Sequence, residues 1–233
     1  MDVPRPHPPL SLVSNDNHVP GRHESAVPNG QPAPPVLPGP PQLAEAFADG
    51  GDVAAAGFVL AQIPRGTGEL LWVQDRMSGL ETGRPYGQAF ARYGADADKL
   101  VLACARHAAD VLWTLEEGLS CRALTAIVGE IWGDPKALDF TATKRLAMRA
   151  ERQGVPVFLI RFNAHPNLSA ARRRWRVTSL PSLPDPHDEK APGAPRWRAE
   201  LFRTRGDRPG VWEAHYDGSA HRLHLAAPLR SSP

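Results

Sequence analysis

The sequence predicts an α/β fold: a mainly parallel sheet flanked by helices, finished by C-terminal antiparallel strands and preceded by a proline-rich arm. Three observations predict it. Two unbroken apolar runs, Ala126-Ile127-Val128 and Val155 to Phe162, suit strands buried on both faces, the habit of parallel sheets. The stretch between them carries helix start and stop signals, so the unit reads β-α-β with a right-handed crossover. From Trp197 onward apolar and polar residues alternate, as in antiparallel strands with one wet face.

Taken in order, residues 1–41 hold many of the 25 prolines, few large apolar residues and no periodicity, and read as a disordered arm. Gln42 to Phe47 is a short apolar segment leading to Asp49-Gly50-Gly51-Asp52. Val53 to Ile63 reads as an Ala-rich helix with Asp52 as its N-cap. Leu70 to Val73 is a strand, Pro85 to Tyr93 a short helix stopped by Gly94, and Leu100 to Ala105 another strand. Ala108 to Leu119 follows as a helix with Val111, Leu112, Leu115 and Leu119 on one face. In the β-α-β unit, Asp139 or Thr141 caps a helix that Gly154 ends, and Leu146, Ala147 and Ala150 supply its apolar stripe.

The C-terminal part reads differently. Leu168 to Arg174 suits a short basic helix, Trp175-Arg176-Val177 begins a strand, and residues 181–195 form a proline-interrupted loop or linker. Trp197 to Thr204, Val211 to Tyr216 and Arg222 to Leu225 are strands completing the sheet of the same core. The organisation is thus an arm over 1–41, a core over 42–180, a loop over 181–195, strands over 196–227 and a tail over 228–233.

Composition excludes several classes. Prolines interrupt Val3 to Val13, so it is no signal peptide, and no stretch approaches the roughly 18 apolar residues of a membrane span. Two cysteines are too few for a disulfide scaffold, which points to a reducing, cytoplasmic setting. The net charge of +2 divides into −7 over residues 1–141 and +9 over 142–233, a hint of an anionic partner for the C-terminal part or of one half covering the other.

Candidate chemistry starts at the helix after the first apolar segment, where a nucleotide-binding α/β protein carries its phosphate loop. That loop needs G-x-x-x-x-G-K-[ST], whose lysine and hydroxyl meet phosphate and Mg²⁺. Here Asp49, Gly50, Gly51 and Asp52 occupy the position, no lysine follows a glycine anywhere, and two carboxylates oppose a polyphosphate. ATP hydrolysis is not expected, and no cofactor is implied. Asp75 and Glu130 end predicted parallel strands, where open α/β sheets place their sites. Without a phosphate loop they read as polar residues satisfying nearby turns.

Cys104, His107 and Cys121 admit a zinc reading but lack a fourth ligand, and buried free cysteine is the simpler account. His215, His221 and His224 read as strand surface, and Arg205-Gly206-Asp207 as a turn. The basic cluster is the stronger lead. Arg172, Arg173, Arg174 and Arg176 flank Trp175, and Arg196, Trp197 and Arg198 follow across the loop. Arginine beside an aromatic suits single-stranded nucleic acid or an acidic protein partner; the alternative places both tryptophans in the core and the arginines on a solvated face.

Longer runs carry a resemblance. Leu71-Trp72-Val73-Gln74-Asp75-Arg76-Met77 and Leu80-Glu81-Thr82-Gly83-Arg84-Pro85-Tyr86 resemble the inducible-mutagenesis protein A (ImuA) family of bacteria. So do Ala109-Asp110-Val111-Leu112-Trp113, Val128-Gly129-Glu130-Ile131-Trp132-Gly133-Asp134-Pro135, Asp139-Phe140-Thr141-Ala142-Thr143, Arg173-Arg174-Trp175-Arg176-Val177 and Pro195-Arg196-Trp197-Arg198-Ala199-Glu200-Leu201. The likeness runs from Gln42 to Leu225 and leaves out the arm.

The resemblance implies a RecA-like core that has lost its nucleotide site and acts without catalysis in the SOS response to DNA damage. It implies a scaffold or recruiter in translesion synthesis, partnered by a Y-family polymerase-like protein and, through it, an error-prone replicative-type polymerase subunit. RecA and single-stranded DNA are further candidate partners, and a membrane is not. The protein would be cytoplasmic, and associated with the nucleoid when DNA is damaged. The connections matching the DNA-lining loops of RecA, Gly133 to Asp139 and Asn163 to Arg174, are short. Two other readings belong to the same RecA-like group: an SOS-induced inhibitor binding the tubulin-like division protein, and a divergent ATPase using Asp75 and Glu130.

Overall fold

The computed structural model describes residues 32–66, 68–188 and 190–226. One nine-stranded sheet organises them, in the order β3-β2-β4-β5-β1-β6-β7-β8-β9. The strands are β1 (Leu43–Ala48), β2 (Glu69–Asp75), β3 (Leu100–Ala105), β4 (Leu124–Trp132), β5 (Val157–Phe162), β6 (Arg173–Leu180), β7 (Arg196–Thr204), β8 (Gly210–Asp217) and β9 (Arg222–Ala226). All pairings from β3 through to β6 are parallel, and β6-β7-β8-β9 run antiparallel. This is the mainly parallel sheet with antiparallel completion that the sequence predicts.

Among the described residues five α-helices connect or cover it: α1 (Ala54–Leu60), α2 (Arg76–Glu81), α3 (Gly87–Arg92), α4 (Ala108–Gly118) and α5 (Phe140–Gln153). The last fits its prediction closely. Asp139 Oδ1 accepts from Ala142 N at 2.7 Å, and Gly154 ends the helix at φ 71°, a left-handed backbone that glycine adopts without a Cβ penalty. Among the described residues no helix is long and apolar enough to cross a membrane.

The sheet's two faces bury different chemistry. Under α4 and α5 the core is aliphatic, built from Leu43, Val73, Leu115, Ile127, Leu146 and Leu159. The face beneath α1 and α3 is aromatic and runs on into the antiparallel half. Phe58 meets Trp175 edge-on at 5.2 Å and Trp197 at 6.0 Å, and Trp175 meets Trp212 at 6.2 Å. Edge-to-face contacts of this kind add ~1 kcal/mol each to the burial of the rings. They tie α1, which follows β1 in the parallel half, to the antiparallel half.

Several expectations need correction. The basic helix over Leu168 to Arg174 does not form. Ala170 and Ala171 are buried, Arg172 N donates to Leu43 O at 2.9 Å, and β6 starts at Arg173 because β1 offers it a free parallel edge. Residues 32–41 contain no regular element but pack against the core. Leu37 lies on the aromatic cluster and Val36 O accepts from Arg173 Nη1 at 3.1 Å. The rest of the predicted arm, residues 1–31, and the predicted tail lie outside the described residues. Cys104 and Cys121 are exposed rather than buried, Cys104 because, among the described residues, β3 is the sheet's edge and has a neighbour on one side alone.

Candidate functional site

The connection from β1 to α1 is the place to begin. The helix starts at Ala54, one residue later than predicted, with Val53 at the cap position. Asp52 nevertheless serves the turn: its Oδ1 accepts from Ala54 N at 2.9 Å and its Oδ2 from Ser179 N at 2.8 Å. One carboxylate thus takes the first helical amide and fastens the loop to β6. Trp132, at the end of β4, closes over Gly50, where a Cβ would stand 2.7 Å from its ring. Trp132 in turn leans on Phe162 at 6.5 Å. Asp49 and Gly51 face solvent.

Asp75 spends both oxygens on backbone. Oδ1 caps α2 through Ser78 N at 2.7 Å, and Oδ2 accepts from Trp132 N at 3.0 Å, joining the ends of β2 and β4. Glu130 is different. It is 3% exposed and takes no turn amide; Oε1 accepts from the Trp72 indole N–H at 2.9 Å and Oε2 from Gln74 Nε2 at 2.6 Å. Both donors are neutral. Burial pushes its carboxyl up to about 7; the two hydrogen bonds pull the other way, and the charge on Asp75 adds to the rise.

Glu130 and Gln74 form part of the lining of an open cleft of about 380 Å³ between α1 and α3, at the C-terminal ends of β2 and β4. Trp72, Phe90, Tyr93 and Trp197 line it with aromatic surface, and Phe90 meets Trp72 edge-on at 5.5 Å. Val53 and Tyr86, on its margin, are 53% and 64% exposed. Sequence reasoning singled out Glu130 but not Trp72 or Gln74. The usable signal was the two-residue spacing that puts both on one face of β2; which strand lies beside β2 is not written locally.

The basic cluster divides by strand alternation. Trp175 and Trp197 point into the aromatic core, 1% and 3% exposed, and offer no face to a base. Arg174 and Arg176 point to the opposite face and stack on phenylalanines instead: Arg174 over Phe47 at 5.2 Å and Phe202 at 5.4 Å, Arg176 over Phe202 at 4.4 Å. Arg161, missed in the sequence, extends the row over Phe47 at 5.4 Å and donates to Gly133 O and Asp134. Arg174 is buried and paired to Glu45, and Arg173 is held by Asp207. Arg172 pairs with Glu151, Arg176 and Arg198 with Glu200, and Arg196 with Glu213. Arg176 and Arg198 are exposed and Arg172 half-buried.

Of the histidines, His215 and His224 stack across β8 and β9 at 5.0 Å, while His221 sits in the intervening turn against the Tyr216 hydroxyl at 2.8 Å. Burial, then the neighbouring His224, holds His215 below the ordinary histidine value.

No protein-family model matches the sequence. Two curated relatives do, each named Protein ImuA and each from a strain of Caulobacter vibrioides. Both are 34% identical over 186 residues, 73% of this chain and 71% of the relative.

Proposed function

The chain belongs to the ImuA family, and from that premise we propose that it is a non-catalytic accessory factor in DNA-damage-induced mutagenic translesion synthesis. It recruits or scaffolds error-prone polymerase components: a Y-family polymerase-like partner and, through that protein, a replicative-type polymerase subunit. The observation that carries the non-catalytic part is the Asp52 carboxylate on Ala54 N. A phosphate at the start of α1 needs such amides free and a cation near them. Here a fixed negative charge holds the first amide, and Trp132 covers the neighbouring Gly50. Asp75, the other acid at the strand ends, is committed to Ser78 N and Trp132 N.

The cluster's contribution to DNA or partner binding narrows to Arg172, Arg176, Arg196 and Arg198. Arg173 and Arg174 hold the chain to itself, and Trp175 belongs to the core. The decisive experiment removes the gene and restores it, measuring damage-induced mutation frequency beside a Mg²⁺-ATP thermal shift of the purified protein. The frequency should fall and recover, with no shift by ATP. An unchanged frequency sinks the mutagenesis role, and a clear ATP shift sinks the non-catalytic reading. Filamentation on overproduction, with mutation frequency unchanged, would favour the division-inhibitor alternative.

A further inference from the structure

Glu130 is a buried carboxylate in an aromatic-lined cleft, and among the described residues no cation pairs with it. Removing a carboxylate from water costs several kcal/mol unless an opposite charge answers it, and two neutral N–H donors answer only in part. The surroundings add no relief. The α1 wall contributes Ala54, Ala56, Gly57 and Leu60, with Val53 just before it; Tyr93, just past α3, contributes a phenol that burial pushes up to about 12; and β2 brings a second acid, Asp75. Arg84, on the 82–86 loop, is exposed at the margin and forms no ion pair with Glu130.

Aromatic faces attract cations, most of all where water is scarce. A cleft with indole, phenyl and phenol walls and an unanswered acid at its base is complementary to a long cationic side chain whose stem is apolar. The exposed Val53 and Tyr86 beside the opening extend the apolar surface outward, as a protein contact needs and a free small cation does not. Arginine fits better than lysine. Its planar fork meets carboxylates and stacks on rings, whereas an ammonium holds its water more tightly.

We propose that this cleft docks a partner protein by accepting an arginine side chain, with the guanidinium on Glu130 and the stem along Trp72, Phe90 and Trp197. The inference stands on the cleft and not on the mutagenesis role, and its test uses purified full-length protein, so the two can fail separately.

The probe is the blocked tripeptide acetyl-Ala-Arg-Ala-amide, with its citrulline and lysine counterparts, titrated by calorimetry and by the Trp72 indole N–H resonance. The arginine probe should bind at pH 8, where Glu130 is ionised, and about tenfold or more weaker at pH 5.5, where it is protonated. Glu130→Gln, similar in shape, should weaken it by roughly the same factor while the circular dichroism spectrum stays native. The citrulline probe should not bind. Equal binding by Glu130→Gln or by citrulline overturns the proposal, as does the absence of any arginine binding at millimolar probe. A lysine probe that binds as well overturns the arginine assignment. Self-association that Glu130→Gln abolishes, with no probe binding, would assign the cleft to a second copy and overturn the partner.

Discussion

Arg174 Nε lies 2.6 Å from Glu45 Oε2, across the parallel pair β6 and β1, with the two side chains 3% and 0% exposed. Ser169 Oγ donates to the other Glu45 oxygen at 2.7 Å, and Arg174 Nη1 donates to Asn167 O at 2.7 Å. The arginine that sequence reasoning offered to DNA is therefore spent inside the fold. Arg174→Met removes the cation hydrogen-bonded to buried Glu45, leaving it the charge of Arg161 alone nearby, and should cost about 3 kcal/mol in urea unfolding. The double variant Glu45→Met/Arg174→Met should recover most of that loss. If the double variant is as unstable as the single one, the pair is not the source.

Glu130 makes stability depend on pH in an unusual direction. Its carboxyl is raised in the folded state, so the native protein holds the proton more tightly than the unfolded chain. That contribution is complete below the ordinary glutamate value and is lost as pH rises through about 7. The loss should be of order 3 kcal/mol. Melting temperature followed from pH 5 to pH 8 should fall in the wild type and fall much less in Glu130→Gln; parallel curves would mean that another group sets the dependence.

Gly50 and Trp132 test the closed loop. Gly50→Ala places a Cβ 2.7 Å from the indole ring and should cost about 1–3 kcal/mol. In Trp132→Ala the obstacle is gone, so adding Gly50→Ala should cost almost nothing further. Additive losses in thermal unfolding would place the strain elsewhere.

The exposed Arg176 and Arg198, with the half-buried Arg172, predict a salt signature. If Arg172, Arg176 and Arg198 each neutralise one phosphate of single-stranded DNA, replacing all three with alanine should lower the slope of log affinity against log salt by about 2. Fluorescence anisotropy with a labelled oligonucleotide measures it. A slope that does not change returns these arginines to their partners Glu151 and Glu200.

Trp175 answers a different question. Its ring is 1% exposed between Phe58 and Trp212, so Trp175→Ala should lose about 3–5 kcal/mol by chemical denaturation. A variant of native stability with weakened DNA binding would put the ring on the surface instead.

Local chemistry made much of the fold legible. Asp139 and Gly154 bracket α5 because capping is a matter of a few neighbouring residues, and the alternation after Arg196 marks strands for the same reason. Nonlocal pairing was the obstacle elsewhere. Arg173 and Arg174 carry helix-compatible side chains, yet they extend along β1, a strand far away in sequence. The helix α2 was missed because it follows β2 with no turn between them: Asp75 both ends the strand and caps the helix, and was visible only as an acid at a strand end. At the cleft, Glu130 stood out as an acid closing an apolar run. Its partnership with Gln74 is set by the β2–β4 register, which no short stretch encodes.

The place of β1 in the sheet has a consequence for how the chain is made. Leu43 pairs with Val157 and Ala44 with Arg173, so β1 waits for two neighbours that emerge more than a hundred residues after it. Until then β1 has neither of its neighbours, and each of its edges is a row of unpaired N–H and C=O groups. Contacts this distant slow folding, and unpaired edges invite association with other chains. A nascent chain of this protein stays vulnerable through most of its translation, and a message truncated before β6 would yield a sheet that cannot close around its own centre.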